Sequence, residues 1–406
     1  MKKVLYSWGF PLSQFIVPVV LINLTKFIVP AILLWVFSSI FYFKKPIWKE
    51  VPLIIYGLFL FYVLHVLGLF NTENFGYAGK DLETKLSFVL FPLVYIFTYR
   101  QLNAKTIAWG KWGFILGSGL AMLHSLINAL LCDTSGTGVC YAPHIYGFQM
   151  HGTYLTAIYL FSGVLFLKWK DARWWTLILK ALYVLLLFIS LIYIRSLSSM
   201  LVLLVFVIVL WIRGIFYFKK WWVKMVLFCI PILFLLFIGK IDHVRRDVND
   251  TKDSIENYFE NEAVFLEKYK TVSSSSEIRI ILYTFSIELI KEHPMGVGTG
   301  DVKDVLFDKF EAHDYDHFVE KKYNPHSQFF QTYIALGFFG AMLLLSLLIH
   351  PLIRMKKYAY KEMFYLAIIL FISCAFESFL ERQVGVIFFS FAVFLFARPQ
   401  ILKDNL

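Results

Sequence analysis

Charge is what this chain has least of. Asp, Glu, Lys and Arg make up 17% of its 406 residues, while 59% are hydrophobic and 19% aromatic, and the mean hydropathy is +0.67. This scarcity excludes an ordinary soluble domain. Apolar runs of about 15 to 25 residues separate the charges, the length a helix needs to cross a bilayer. The short alternating segments of a transmembrane barrel are absent. There is no Walker loop, no dinucleotide fingerprint after a strand and no serine-nucleophile elbow. No internal repeat, low-complexity tract or appended soluble domain is visible. Met1-Lys2-Lys3 leads into an apolar start without an Ala-x-Ala-like site, so the first span is expected to stay on the protein.

The expected fold class is an all-α polytopic membrane protein. Spans are expected at 8–24, 28–43, 51–70, 86–99, 109–131, 147–168, 175–194, 197–213, 221–239, 327–352, 360–377 and 383–397, about twelve in all. Residues 8–43 read either as a hairpin turned at Lys26 or as one long tilted segment. Pro92, central in a short run, suggests a kinked or partly re-entrant helix. The net charge of +11 follows topology rather than a nucleic-acid partner. Every second connection is basic, as with Lys44/Lys45/Lys49, Lys168/Lys170/Arg173 and Arg354/Lys356/Lys357. The alternate short connections hold few positive charges, namely Lys26, Lys80, Lys85, Arg195 and Arg382. The positive-inside rule then puts both termini in the cytoplasm.

Cysteine is scarce too, four in total. Cys132 and Cys140 fall in one Gly-rich external connection, where a disulfide is permitted; Cys229 and Cys374 lie within spans as packing residues. The long interruption divides the chain into 1–239, 240–325 and 326–406. On this topology 240–325 is an external loop with helical patterning. Asp253–Lys270 reads as a charged helix, a second begins at the serines 273–276 and ends at His293-Pro294, and Asp301–Glu311 is a third. Such amphipathic helices would lie on the bilayer as a lid.

Few residues in this setting can carry chemistry. His326, where a polar loop meets an apolar helix, reads either as a general base or as a helix-start residue bonded to headgroups or backbone. Arg195, almost without a loop around it, needs an anion at that depth: a phosphate of a substrate or of a lipid headgroup. Arg279 is an anion binder or a solvated charge, and His151 is site or packing. Gly296-Val297-Gly298-Thr299-Gly300 either offers amides to an anion or simply stops a helix. His313-Asp314-Tyr315-Asp316-His317 resembles a metal cluster, but solvated side chains are the simpler reading. Arg195, Arg279, His326 and His151 all fall on one side of the expected topology. Two anion binders and a base suit transfer from a lipid pyrophosphate to a hydroxyl, with no metal or other cofactor required.

His326-Ser327, nine residues, Gly337, two residues and Gly340 resemble the signature of the O-antigen ligase and bacterial O-oligosaccharyltransferase superfamily, which includes O-antigen polymerases. Arg195-Ser196-Leu197-Ser198-Ser199, Arg279 ahead of His293-Pro294-Met295-Gly296, and Glu377-Ser378-Phe379-Leu380 are further matches. The resemblance implies a GT-C-like fold in the bacterial inner membrane, with a large periplasmic helical loop. It also implies an undecaprenyl-pyrophosphate-linked glycan donor and inverting, metal-independent transfer. His326 would be the general base, Arg195 and Arg279 the pyrophosphate binders, and His151, Ser327 and Arg382 accessory positions. Ligation to lipid A-core is the first expectation, a polymerase or O-oligosaccharyltransferase the alternative within the class, and a polyprenyl-linked glycan transporter the alternative outside it.

Overall fold

A computed structural model describes residues 8–131, 150–171, 173–194, 197–217, 219–222, 224–225, 229, 242–270, 274–354 and 361–397. The described residues are helical, with no strand among them. Five helical stretches are long and apolar enough to cross a membrane: Leu53–Asn71, Phe75–Gln101, Ala104–Leu131, Trp174–Ile194 and Gln328–Ile353. Phe10–Asn23, Thr25–Ile40, Gly152–Leu167, Ser199–Ile208 and Gln383–Phe396 are shorter apolar helices. This is a helical membrane protein. The expected ninth span, 221–239, lies mostly outside the described residues, as do Cys132, Cys140 and Arg195.

The N-terminal segment is a hairpin. Phe10–Asn23 and Ile28–Ile40 are joined by a 3-10 turn at Thr25–Phe27, which holds Lys26. Its first arm lies against Ala104–Leu131, where Gly117 lets the backbones close in: a Cβ there would sit 3.1 Å from Val19 Cα.

The expected loop 71–85 is instead a helix over Phe75–Lys85, capped by the Asn74 side chain, which accepts from Tyr77 N at 3.0 Å. It runs on through Leu86 into Ser87–Thr98. Hydropathy hid it because its Asp81 and Lys85 are buried as a pair, and Lys85 also meets Glu381, distant in sequence. Pro92 lies inside Ser87–Thr98 without breaking it.

The helices run between two chemically different ends. Gly152–Leu167 begins at His151 and ends at Lys168, and Lys361–Phe376 begins beside Glu362 and ends before Glu377. At one end Lys111 Nζ lies 2.7 Å from Glu362 Oε1 and Lys168 Nζ is 4.5 Å from the Tyr365 ring. His151, His326 and Glu377 gather at the other.

The sharpest feature is a break inside Gln328–Ile353. Gly337 has φ +64° and ψ −160°, outside the helical region, and the carbonyls of the turn before it need new partners. The glycine-rich run supplies them. Val297 N donates to Ile334 O at 2.8 Å, Gly298 N to Ala335 O at 3.0 Å, and Phe338 N returns a bond to Pro294 O at 3.2 Å. Gly300 N donates to Thr72 Oγ1 at 3.2 Å. These amides are spent on the fold, in keeping with the helix-stop reading of this run rather than the anion cradle. A Cβ on Gly337 would fall on the Met295 backbone carbonyl.

The helices between 242 and 320 bury apolar sides on one another. Phe265, Ile281, Leu282, Phe285, Leu289, Val302, Leu306, Phe310, Tyr315 and Phe318 form a second core, seated on Ile334 and Ala335. The single charged helix expected over Asp253–Lys270 is two, Asp242–Glu260 and Glu262–Lys268; Asn261 breaks it and caps the second through Val264 N at 3.1 Å.

Gly337→Ala is expected to destabilise the protein by about 2–3 kcal/mol, from the positive φ and the Met295 overlap. Gly79→Ala, on an open helical face with nothing within 4 Å, should stabilise by about 0.5–1 kcal/mol. Unfolding in detergent checks both, and equal midpoints for the two variants would contradict the account of the break.

Candidate active site

His326 enters the apolar helix by an unusual backbone route. Its φ of +47° lies in the left-handed region, which histidine visits more readily than most residues but at a cost in strain. Local bonds hold it there. His326 N donates to Asn324 Oδ1 at 3.0 Å, and Tyr283 OH donates to the His326 carbonyl at 3.4 Å and to Ala375 O at 3.0 Å. Burial pushes the Tyr283 hydroxyl up to about 12, so it stays a donor at neutral pH. One helix of the second core thus grips both His326 and the end of Lys361–Phe376.

The ring faces a carboxylate. Glu377 Oε2 lies 3.6 Å from His326 Nδ1 and 3.8 Å from His151 Nδ1. These are ion-pair distances, longer than hydrogen bonds. His326 Nδ1 is buried without a hydrogen-bond partner among the described residues, and the side chain is 25% exposed. The exposed part therefore belongs to the other ring atoms. Glu377 is 6% exposed. Burial alone would raise its pKa, but His326, then His151 and Arg382, outweigh that and hold it below the ordinary 4.5. Its contribution to the folded state is therefore complete above 4.5 and is lost only as pH falls through the lowered value.

His151 is the N-cap of Gly152–Leu167, its Nδ1 accepting from Thr153 N at 3.5 Å. A protonated Nδ1 faces Glu377 and cannot accept that bond, so the two arrangements exclude each other. Ile194 and Ser199, on either side of the arginine at 195, lie against the same helix: Ile194 packs on Gly152, and Ser199 Oγ accepts from Thr156 Oγ1 at 2.8 Å.

Arg279 spends Nη1 on Ser275, at 3.2 Å from its carbonyl and 2.7 Å from Oγ, while its Nε is buried without a hydrogen-bond partner among the described residues. Arg382, exposed, is the N-cap residue of Gln383–Phe396. Neither forms an ion pair among the described residues, and both are close enough to bear electrostatically on His151. Ser327 is buried, its hydroxyl 3.5 Å from Cys374 O; it ties two helices together rather than facing the site.

The structure thus brings together His326, His151, Arg279 and Arg382, and adds Glu377, whose place beside His326 no sequence spacing foretold. Among the described residues no group of three or more His, Cys, Asp or Glu side chains is arranged to hold a metal ion. In the run 313–317, Tyr315 is a core residue donating to Leu266 O at 2.6 Å, and His313 Nδ1 lies 2.8 Å from Lys309 O.

No curated protein matches the chain. Residues 182–345 match the Wzy_C family model, described as O-antigen ligase. The stretch that holds Arg279, His326 and the helix break at Gly337 is therefore an O-antigen ligase family domain.

Proposed function

We propose that the protein is an inner-membrane glycosyltransferase that moves a glycan from undecaprenyl pyrophosphate to a hydroxyl of lipid A-core on the periplasmic face. The observation that carries this reading is the Glu377 carboxylate beside His326 Nδ1, with Arg279 and Arg382 nearby and in no ion pair among the described residues. His326 takes the proton of the acceptor hydroxyl as its oxygen attacks the anomeric carbon. Glu377 steadies the imidazolium that forms. The bond from the anomeric carbon to the phosphate oxygen breaks, the configuration inverts, and undecaprenyl pyrophosphate leaves against Arg279, with Arg195 as the second binder and Arg382 as accessory. Pyrophosphate is a good leaving group, so the reaction needs no metal. On this reading 1–239 and 326–406 are the membrane parts of a GT-C-like fold of about twelve spans, and 240–325 is the periplasmic part.

Purified protein with an undecaprenyl-pyrophosphate-linked glycan, with and without lipid A-core, tests this. One size shift that requires lipid A-core is expected. A ladder from the donor alone would make it a polymerase, and the absence of any covalent product from folded protein would sink the transferase reading in favour of transport.

His326→Ala should lower transfer by about 10²–10⁴-fold while the protein inserts and accumulates normally; full activity would remove it as the base. Glu377→Gln should lower kcat roughly tenfold or more at unchanged donor KM, and an unchanged kcat would leave Glu377 a packing residue. Arg195→Ala and Arg279→Ala should raise donor KM by about tenfold or more and leave acceptor KM alone. An equal effect on both substrates would count against pyrophosphate binding.

A further inference from the structure

Four residues beyond Glu377 a second carboxylate enters a buried charge cluster that the proposed chemistry does not use. Lys85 is 1% exposed. Its ammonium pairs with Asp81 and, at 2.9 Å, with Glu381 Oε1. The same Glu381 oxygen lies 3.2 Å from Gln328 Nε2. Gln328 is fully buried; its Nε2 also donates to Thr332 Oγ1 at 3.0 Å within its own helix, and two further bonds return to the Glu377–Glu381 turn. Its Oε1 accepts from Leu380 N at 2.6 Å, and its backbone N donates to Glu377 O at 3.1 Å. Ser378 Oγ closes the circuit at 3.4 Å from Asn324 Oδ1, the atom that holds His326 N.

A buried ion pair is a poor way to gain stability, because desolvation offsets most of the attraction and an apolar pair would often serve as well. Its strength is direction: a buried ammonium tolerates almost no displacement of its carboxylates. Here those carboxylates sit on Phe75–Lys85 and on the turn that carries Glu377. We infer that the Lys85–Asp81–Glu381 cluster, acting through Gln328, is a positioning device that sets Glu377 against His326. The inference rests on the proposed role of His326 and Glu377. Lys85, Glu381 and Gln328 are positioning residues; none is assigned contact with the reacting atoms.

Glu381→Gln keeps the oxygen that Lys85 and Gln328 share, whereas Glu381→Ala removes it. The first should hold kcat within about twofold, and the second should lower it by about 10–100-fold at unchanged donor KM, the scale set by a small misplacement of catalytic groups. Lys85→Met leaves two unpaired buried carboxylates and is expected to lower the melting temperature. Adding Asp81→Asn removes one of the two and should recover part of that temperature while leaving kcat low, because Glu381 still lacks its anchor. Recovery of kcat along with stability would mean the cluster only stabilises the fold, and overturn the inference.

Amide hydrogen exchange decides independently of activity. Glu381→Ala should speed exchange at Phe379, Leu380 and Gln328 over that of wild type and Glu381→Gln. Unchanged exchange there would overturn the inference whatever the kinetics. If the wild type forms no covalent product, the functional reading falls, and the exchange result alone settles whether the cluster positions the turn.

Discussion

A helix that breaks inside apolar surroundings must find partners for the carbonyls it releases, and much of this structure follows from how that demand is met at Gly337. The break frees Ile334 and Ala335, and the chain at 294–298 supplies the donors. That strap is covalently the end of helix Ser275–Glu292, so meeting the backbone demand also docks the second core onto the start of Gln328–Ile353. Tyr283 rides on the docked helix and reaches the His326 carbonyl. The histidine's left-handed backbone is thus held through a chain of contacts that begins at a glycine eleven positions later. The spacing between His and Gly in the signature has this mechanical content.

Two carboxylates in one short turn are put to opposite uses. Glu377 meets two imidazoles and Arg382, and is held ionised. Glu381 is raised, chiefly by burial and against the pull of Lys85. Environments that push neighbouring acids apart usually mark a division of labour. In this turn one acid confronts the site and the other fixes the turn to a helix more than 290 residues earlier.

His326, Gly337 and the length of the interruption were legible because each is a local pattern: a polar-to-apolar seam, a spacing, a gap in hydropathy. Glu377 was visible as part of a resemblance but had no role, since nothing local says that a carboxylate after one helix will meet a histidine before another. The helix Phe75–Lys85 was read as loop for a related reason. Its mean polarity is real, but its buried Lys85 is paired with Glu381, a tertiary partner that sequence does not display. The run 296–300 fits an anion cradle or a helix stop by sequence alone, and only the fold shows that the amides of Val297, Gly298 and Gly300 pass to Ile334, Ala335 and Thr72.

The charges at this end of the molecule are allotted in a way that matters for the proposed departure of a pyrophosphate. The carboxylate nearest the site, Glu377, is engaged by His326 and His151 rather than tied to a guanidinium. Arg382 is near enough to depress the pKa of Glu377 yet forms no ion pair among the described residues. Among the described residues Arg279 is hydrogen-bonded to Ser275 alone, a neutral partner that fixes its direction without cancelling its charge. Had Glu377 paired with either arginine, the site would have entered the reaction already neutralised, and charge arriving on the leaving group would have had to break that pair. Assigning the acid to the imidazoles keeps the proposed base oriented and leaves both guanidiniums without an ion pair among the described residues, and a single buried side chain accomplishes both.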